Sequence, residues 1–160
     1  MPTAKILLSH GSGGRLSRRL IKELFLKKLN NPILKELGDS AVINCAGSAA
    51  FTTDSFVVSP LDFPGGDIGK LAVCGTVNDL VVQGAAPQCL SLALIIEEGL
   101  DYGTLERVID SVAVNAAKAA VKIVTGDTKV VEKGACDKIF INTAGVGRMI
   151  KGINLSIKNI

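Results

Sequence analysis

Residues 67–99, DIGKLAVCGTVNDLVVQGAAPQCLSLALIIEEG, decide the fold. Asp67 stands where a helix N-cap belongs, and Ile68, Leu71, Val77 and Leu80 recur at helical spacing before Gly84 stops the run. Leu90–Ile96 is then a continuous apolar stretch of strand length, read as a strand buried on both faces. A helix feeding a buried strand this quickly places the chain among the mixed α and β classes.

Downstream, Asp101–Ala119 carries Leu105, Val108, Ile109, Val112 and Ala116 on one stripe and reads as the longest helix. Val121–Thr125 and Lys138–Gly145 read as strands, joined by a polar loop over 126–137. Upstream, Ala41–Cys45, Ala50–Thr53 and Phe56–Ser59 read as three short strands, the last stopped by Pro60. Residues 15–29 (RLSRRLIKELFLKKL) place Leu16, Leu20 and Leu24 on one side and bases on the other, an amphipathic helix. A further helical turn fits Pro32–Leu37, where proline is tolerated at a helix start. The strands are grouped rather than strictly alternating with helices. That order predicts an α+β domain, a small mixed sheet with helices on one face.

A length of 160 residues suits one core, and 48% apolar with 21% charged residues is ordinary globular usage. Five Phe, one Tyr and no Trp make the core aliphatic and argue against a base-stacking platform for nucleic acid. Residues 1–36 hold eight bases against two acids, whereas the remainder holds ten against thirteen. The basic segment reads as a solvated helix face or as a surface for an acidic or phosphorylated partner. Four cysteines without a CxxC pair, and a single histidine, argue against a zinc site. The stretch 71–96 is broken by Asn78, Asp79, Gln83, Pro87 and Gln88, so it is no membrane span, and the cytoplasm is the expected compartment.

Four acids are poorly explained by packing: Asp39 after Gly38, Asp54 at a strand end, Asp79 in an apolar helix, and Asp127 after Gly126. Each alone reads as a cap or turn residue. Together they also fit a hard-cation site, since Mg²⁺ takes carboxylates and phosphate oxygens. Ser9–Gly14 (SHGSGG) is a glycine-rich turn leading into the basic helix, either a flexible turn or an anion cradle; it is not a Walker A loop. Lys70, in the first turn after Pro64–Asp67, is solvated or reaches a phosphate. His10 reads first as a loop residue.

The segments FTTDSFVVSP (51–60), FPGGDIGK (63–70), CGTVND (74–79), EEG (97–99), TGDTKVV (125–131) and FINTAG (140–145), with HGSGG at 10–14, closely resemble the HypE family of hydrogenase maturation proteins. That family sits in the ATP-using superfamily resembling aminoimidazole ribonucleotide synthetase, with selenophosphate synthetase and thiamine-monophosphate kinase. The resemblance implies a strongly curved sheet that pairs with a second copy into a barrel-like homodimer. It implies ATP held through Mg²⁺ by Asp39, Asp54, Asp79 and Asp127, with Gly11, Gly13, Gly14, Lys70, Asn78 and Thr128 around the nucleotide. Lys129 and Asp79 are the residues it places in catalysis.

The implied reaction is ATP-dependent dehydration of a carbamoyl group on a C-terminal cysteine to a thiocyanate, destined to supply cyanide to the iron of [NiFe]-hydrogenase. HypF-like carbamoyltransferase and iron-carrying HypC/HypD-like proteins are the implied partners, with neither nucleic acid nor membrane. The superfamily often shows paired acids where this chain has Asp39-Ser40. The family also carries a second domain ending in cysteine, whereas here no cysteine follows Cys136. The expectation is an ATP-binding, dimerising half, residues 1–160, with 147–160 a tail or the start of a linker, and without turnover alone. A small-molecule kinase of the thiamine-monophosphate type and a non-catalytic oligomerisation module are the alternatives.

Overall fold

The structure, a computed structural model, describes residues 5–38, 40–153 and 155. After a 3₁₀ turn at Leu8–His10 come α1 (Arg15–Leu20), a π turn (Ile21–Phe25), α2 (Leu26–Lys28) and α3 (Pro32–Lys35). Then follow β1 (Ala49–Phe56), the two-residue strands β2 (Asp62–Phe63) and β3 (Gly66–Asp67), α4 (Ile68–Val82), β4 (Ala85–Glu97), α5 (Tyr102–Lys118), β5 (Lys122–Val131) and β6 (Ile139–Met149). The main sheet runs β1-β6-β4-β5, with β4 and β5 parallel and the other pairs antiparallel. It is mixed and open, with β1 and β5 as its edges; no barrel closes within the chain.

Local chemistry explains the helix boundaries. Asp67 Oδ1 accepts from the N–H groups of Gly69 and Lys70, at 2.7 and 3.0 Å, while its Oδ2 takes a hydrogen bond from Ser111 at 2.6 Å. One side chain thus caps α4 and ties it to α5. Asn31 caps α3 by accepting from Leu34 N, and its amide donates to Ile123 O. The α5 stripe is buried as the spacing predicts, from Leu105 through Ala116.

Antiparallel partners share a sheet face, so register sorts the side chains. Thr52 with Gly145, Asp54 with Thr143 and Phe56 with Ile141 face α4. Phe51 with Val146, Thr53 with Ala144 and Ser55 with Asn142 face away. Leu90, Leu92, Leu94 and Ile96 fill the helix side, and Ile95, 43% exposed, lies on the other. Among the described residues one face of β4 is therefore uncovered, which corrects the expectation of burial on both.

Other expectations need correcting. Residues 41–46 form no strand, and Val42 is 82% exposed. A β-prone sequence is not held extended without a partner strand. Phe56 ends β1 instead of opening a strand to Ser59. Leu71 is 38% exposed, while Ala72, Val73 and Thr76 line the core side of α4. Apolar residues surround that helix, so spacing alone does not select its buried face. The loop expected from residue 126 begins after Val131, because β5 continues alongside β4. Asp127, Thr128 and Lys129 consequently sit on an edge strand.

Candidate functional site

Two groups of the singled-out residues gather at opposite sheet edges. At the β1 edge, Thr52 Oγ1 donates to Asp79 Oδ2 across 3.0 Å, joining the strand to α4. Asp54 lies one pair further along the same face, against Gly75; a Cβ there would meet Asp54 Oδ2 at 3.4 Å and the Phe56 ring at 3.0 Å. The missing side chain at Gly75 lets α4 lie close enough to share its carboxylate with this strand. Asn78 precedes Asp79 on α4 and is exposed.

At the β5 edge, a cavity of about 480 Å³ opens between the N-terminal segment and the sheet. Leu92, Leu94 and Ile123 form part of its apolar wall, and His10, Gly11, Gly13, Asp127, Thr128 and Lys129 add polar or small groups. Thr128 pairs with Leu94, which turns its hydroxyl to the helix side, whereas Asp127 and Lys129 sit beside Ala93 and Ile95. Lys129 Nζ lies 3.8 Å from Asp127 Oδ2, and both side chains are 65% exposed. A pair so open contributes little to stability, leaving its charges available to a ligand.

Gly11 is pressed against the edge strand, where a Cβ would collide with the backbone of Val130. The loop amides, however, are already engaged: Gly11 N donates to Leu8 O, and Gly13 N to Ser17 Oγ at 2.9 Å. Ser17 and Ser12 both donate to Ser9 O. In this conformation Gly11 and Gly13 contribute close approach and shape rather than free N–H donors. Gly14 precedes α1 in open space.

Two strands separate these edges, roughly 14 Å at ordinary strand spacing. Among the described residues no three His, Cys, Asp or Glu side chains are grouped to hold a metal. One copy therefore brings Asp54 to Asp79 and Asp127 to Lys129, without uniting the two pairs. Asp39 lies outside the described residues. Lys70 Nζ is tied to Gly65 O at 2.7 Å and lines neither cluster. Cys136 is half-buried, and burial followed by the charges of Glu97 and Asp137 pushes its thiol up, which disfavours a nucleophilic thiolate. The spacing reading did not place His10 at the site. Only the folded loop reveals it as a cavity-lining residue. No helix among the described residues is long and apolar enough to cross a membrane.

Residues 37–149 match the family model described as AIR synthase related protein, N-terminal domain. Carbamoyl dehydratase HypE of Escherichia coli (strain K12) is 51% identical over 155 residues, spanning 93% of this chain and 46% of that protein. A crystal structure of hydrogenase maturation protein HypE in complex with ATP matches with a TM-score of 0.89 at 57% identity, over 90% of this chain and 43% of that one. The structure of a HypE–HypF complex matches at 0.67 and 52% identity, over 84% and 44%. The chain thus spans less than half the length of the curated relatives it matches. The expected resemblance to HypE holds at this level of identity over most of the chain. With 113 of its 160 residues inside the matching model, the chain belongs to the AIR synthase related protein family, as its N-terminal domain.

Proposed function

We propose that this chain is the ATP-binding part of a HypE-type carbamoyl dehydratase. The observation that carries the reading is its 57% identity and TM-score of 0.89 to a HypE structure in complex with ATP. The β5-edge cavity supports it, because an apolar wall suits a nucleobase while Lys129 and Thr128 offer a cation and a hydroxyl to phosphate oxygens. The donor chemistry fits Mg²⁺ as well: oxygen ligands from Asp54 and Asp79, or from Asp127, suffice when phosphates and water complete the shell. Asp39 belongs to the same proposed set.

The proposed reaction converts a thiol-bound carbamoyl group to a thiocyanate. Transfer of the ATP γ-phosphoryl to the amide oxygen makes that oxygen a leaving group; phosphate then departs as the carbon–nitrogen triple bond forms and two N–H protons are lost. In this scheme Lys129 offsets negative charge on the transferring phosphoryl, and Asp79 of the second copy in the proposed homodimer takes a proton, because one copy holds the two residues at opposite sheet edges. Mg²⁺ would supply Lewis-acid stabilisation of the phosphates.

A homodimer is part of the reading. Phe51, 71% exposed, and Ile95 lie with Phe140, Val146 and Ala93 on the uncovered sheet face, and a second copy would bury them. HypF-like and HypC/HypD-like proteins are the proposed partners, in the cytoplasm, and the HypE–HypF complex at 52% identity supports the first. Isothermal titration of the chain with Mg-ATP tests the core of this proposal. Saturable binding that Asp127→Ala abolishes is expected, and no heat of binding at millimolar nucleotide refutes it.

A further inference from the structure

We propose that His10 is a phosphate-binding residue, presenting its Nε2–H to the nucleotide in the β5-edge cavity. The inference rests on the ATP-binding reading above and assigns one of its contacts. His10 closes the 3₁₀ turn Leu8–His10, and its Nδ1 lies 3.0 Å from Leu7 N and 3.3 Å from Leu7 O. At the shorter contact the Leu7 N–H donates to Nδ1. A ring nitrogen that accepts from an amide carries no proton, so the neutral ring must hold its proton on Nε2. The shorter backbone contact therefore favours this tautomer, which leaves a donor on the far side of the ring.

That donor belongs to a half-buried side chain lining the cavity shared with Thr128 and Lys129. The loop carrying it is held by Ser17 and Ser12 on Ser9 O and by the packing of Gly11 against Val130. With the Gly11 and Gly13 amides engaged internally, the imidazole is a donor the loop still offers beside the cavity. It lines the same cavity as the exposed Lys129, whose charge favours an anion, and phosphoryl oxygens are the anions an ATP site supplies. The donor was set before any ligand arrived, so binding loses little to ordering the ring.

His10 is the sole histidine of the sequence, so its imidazole ¹⁵N signals need no assignment. Two-dimensional ¹H–¹⁵N spectra of the histidine-labelled chain, taken free and titrated with Mg-ATP or adenosine, test the assignment. The expected result is an Nε2–H tautomer in the free protein and an Nε2 shift with ATP but not with adenosine. An Nδ1–H tautomer overturns the proposal. So do unchanged ring signals while calorimetry shows ATP bound. Absence of any ATP binding instead defeats the parent reading and this contact with it.

Two variants give an independent readout. Glutamine places an amide N–H near the Nε2 position, whereas asparagine imitates Nδ1 and can keep only the Leu7 contact. His10→Gln is expected to hold ATP within about two-fold of the parent chain, and His10→Asn to lose roughly ten-fold, the scale of one charge-assisted hydrogen bond. The reverse order makes the histidine a turn cap only and overturns the proposal.

Discussion

Thr52 and Asp79, 27 positions apart, are joined by a 3.0 Å hydrogen bond that fixes edge strand β1 to helix α4 beside Asp54. The hydroxyl orients the carboxylate, and among the described residues no hydrogen bond reaches its second oxygen. Asp79→Asn keeps an oxygen acceptor for Thr52, so urea unfolding should shift by less than about 1 kcal/mol. The same change removes the charge a cation would need. Calorimetry should show ATP affinity falling at least ten-fold in Mg²⁺, with a smaller change in EDTA. Equal losses in both media would remove Asp79 from the metal set.

The glycines of the N-terminal loop are not equivalent. At Gly11 a Cβ collides with Val130 backbone atoms, whereas at Gly14 nothing lies within 4 Å. Gly11→Ala should push the loop off the β5 edge, weaken ATP binding and lower stability by roughly 1–3 kcal/mol, the ordinary cost of overpacking. Gly14→Ala should change neither by a measurable amount. Paired thermal melts and ATP titrations check the contrast; equal effects would mean that the loop does not rest on the strand.

Phe51 projects from the sheet face that no helix covers. Phe51→Asp should leave the circular dichroism spectrum intact, because the ring contributes little to the monomer core. If a second copy covers this face, sedimentation velocity should show the dimer lost. A variant that sediments like the parent chain would place any dimer contact elsewhere.

Much of this arrangement was legible from residue chemistry. Asp67 announces its helix because a carboxylate before an apolar run satisfies the first amides, and it acts as the cap. The α5 stripe is unambiguous because polar residues occupy its other face. In α4 no such contrast exists: spacing points Leu71 inward, whereas the helix turns Ala72 and Thr76 to the core. The four acids stood out singly. That β1 and β5 are opposite edges follows from strand order, which depends on long-range pairing and leaves no mark on local spacing. For the same reason local spacing marks His10 only as a loop residue: its place depends on a backbone contact at Leu7 and on a cavity wall more than a hundred residues away.

Cys89 is 6% exposed, and burial, followed by the proximity of Cys45, pushes its thiol above the ordinary value of 9.0. The folded chain therefore holds this proton to higher pH than the unfolded chain does. The associated stability is fully present below about pH 9 and is lost as pH rises through the raised value. Urea midpoints between pH 8 and pH 10.5 should fall more steeply for the parent chain than for Cys89→Ala. Parallel slopes would show that the thiol ionises alike in both states.

Thr76 and Thr143 share a hydrogen bond where neither side chain is exposed, and Thr143 also reaches Ala72 O at 3.5 Å. This joins α4 to β6 at the centre of the core, next to Gly145, where a Cβ would meet Thr76 Cγ2 at 2.8 Å. Removing one hydroxyl leaves the other buried with its strongest partner gone, which costs about 1–3 kcal/mol. Replacing both with valine keeps the shape and removes both demands. Thr76→Val and Thr143→Val should each destabilise, and the double variant should be more stable than the sum of the two losses allows. A double-mutant cycle by urea unfolding measures that coupling. Strict additivity would mean that the hydroxyls are satisfied independently and that packing alone holds α4 on β6.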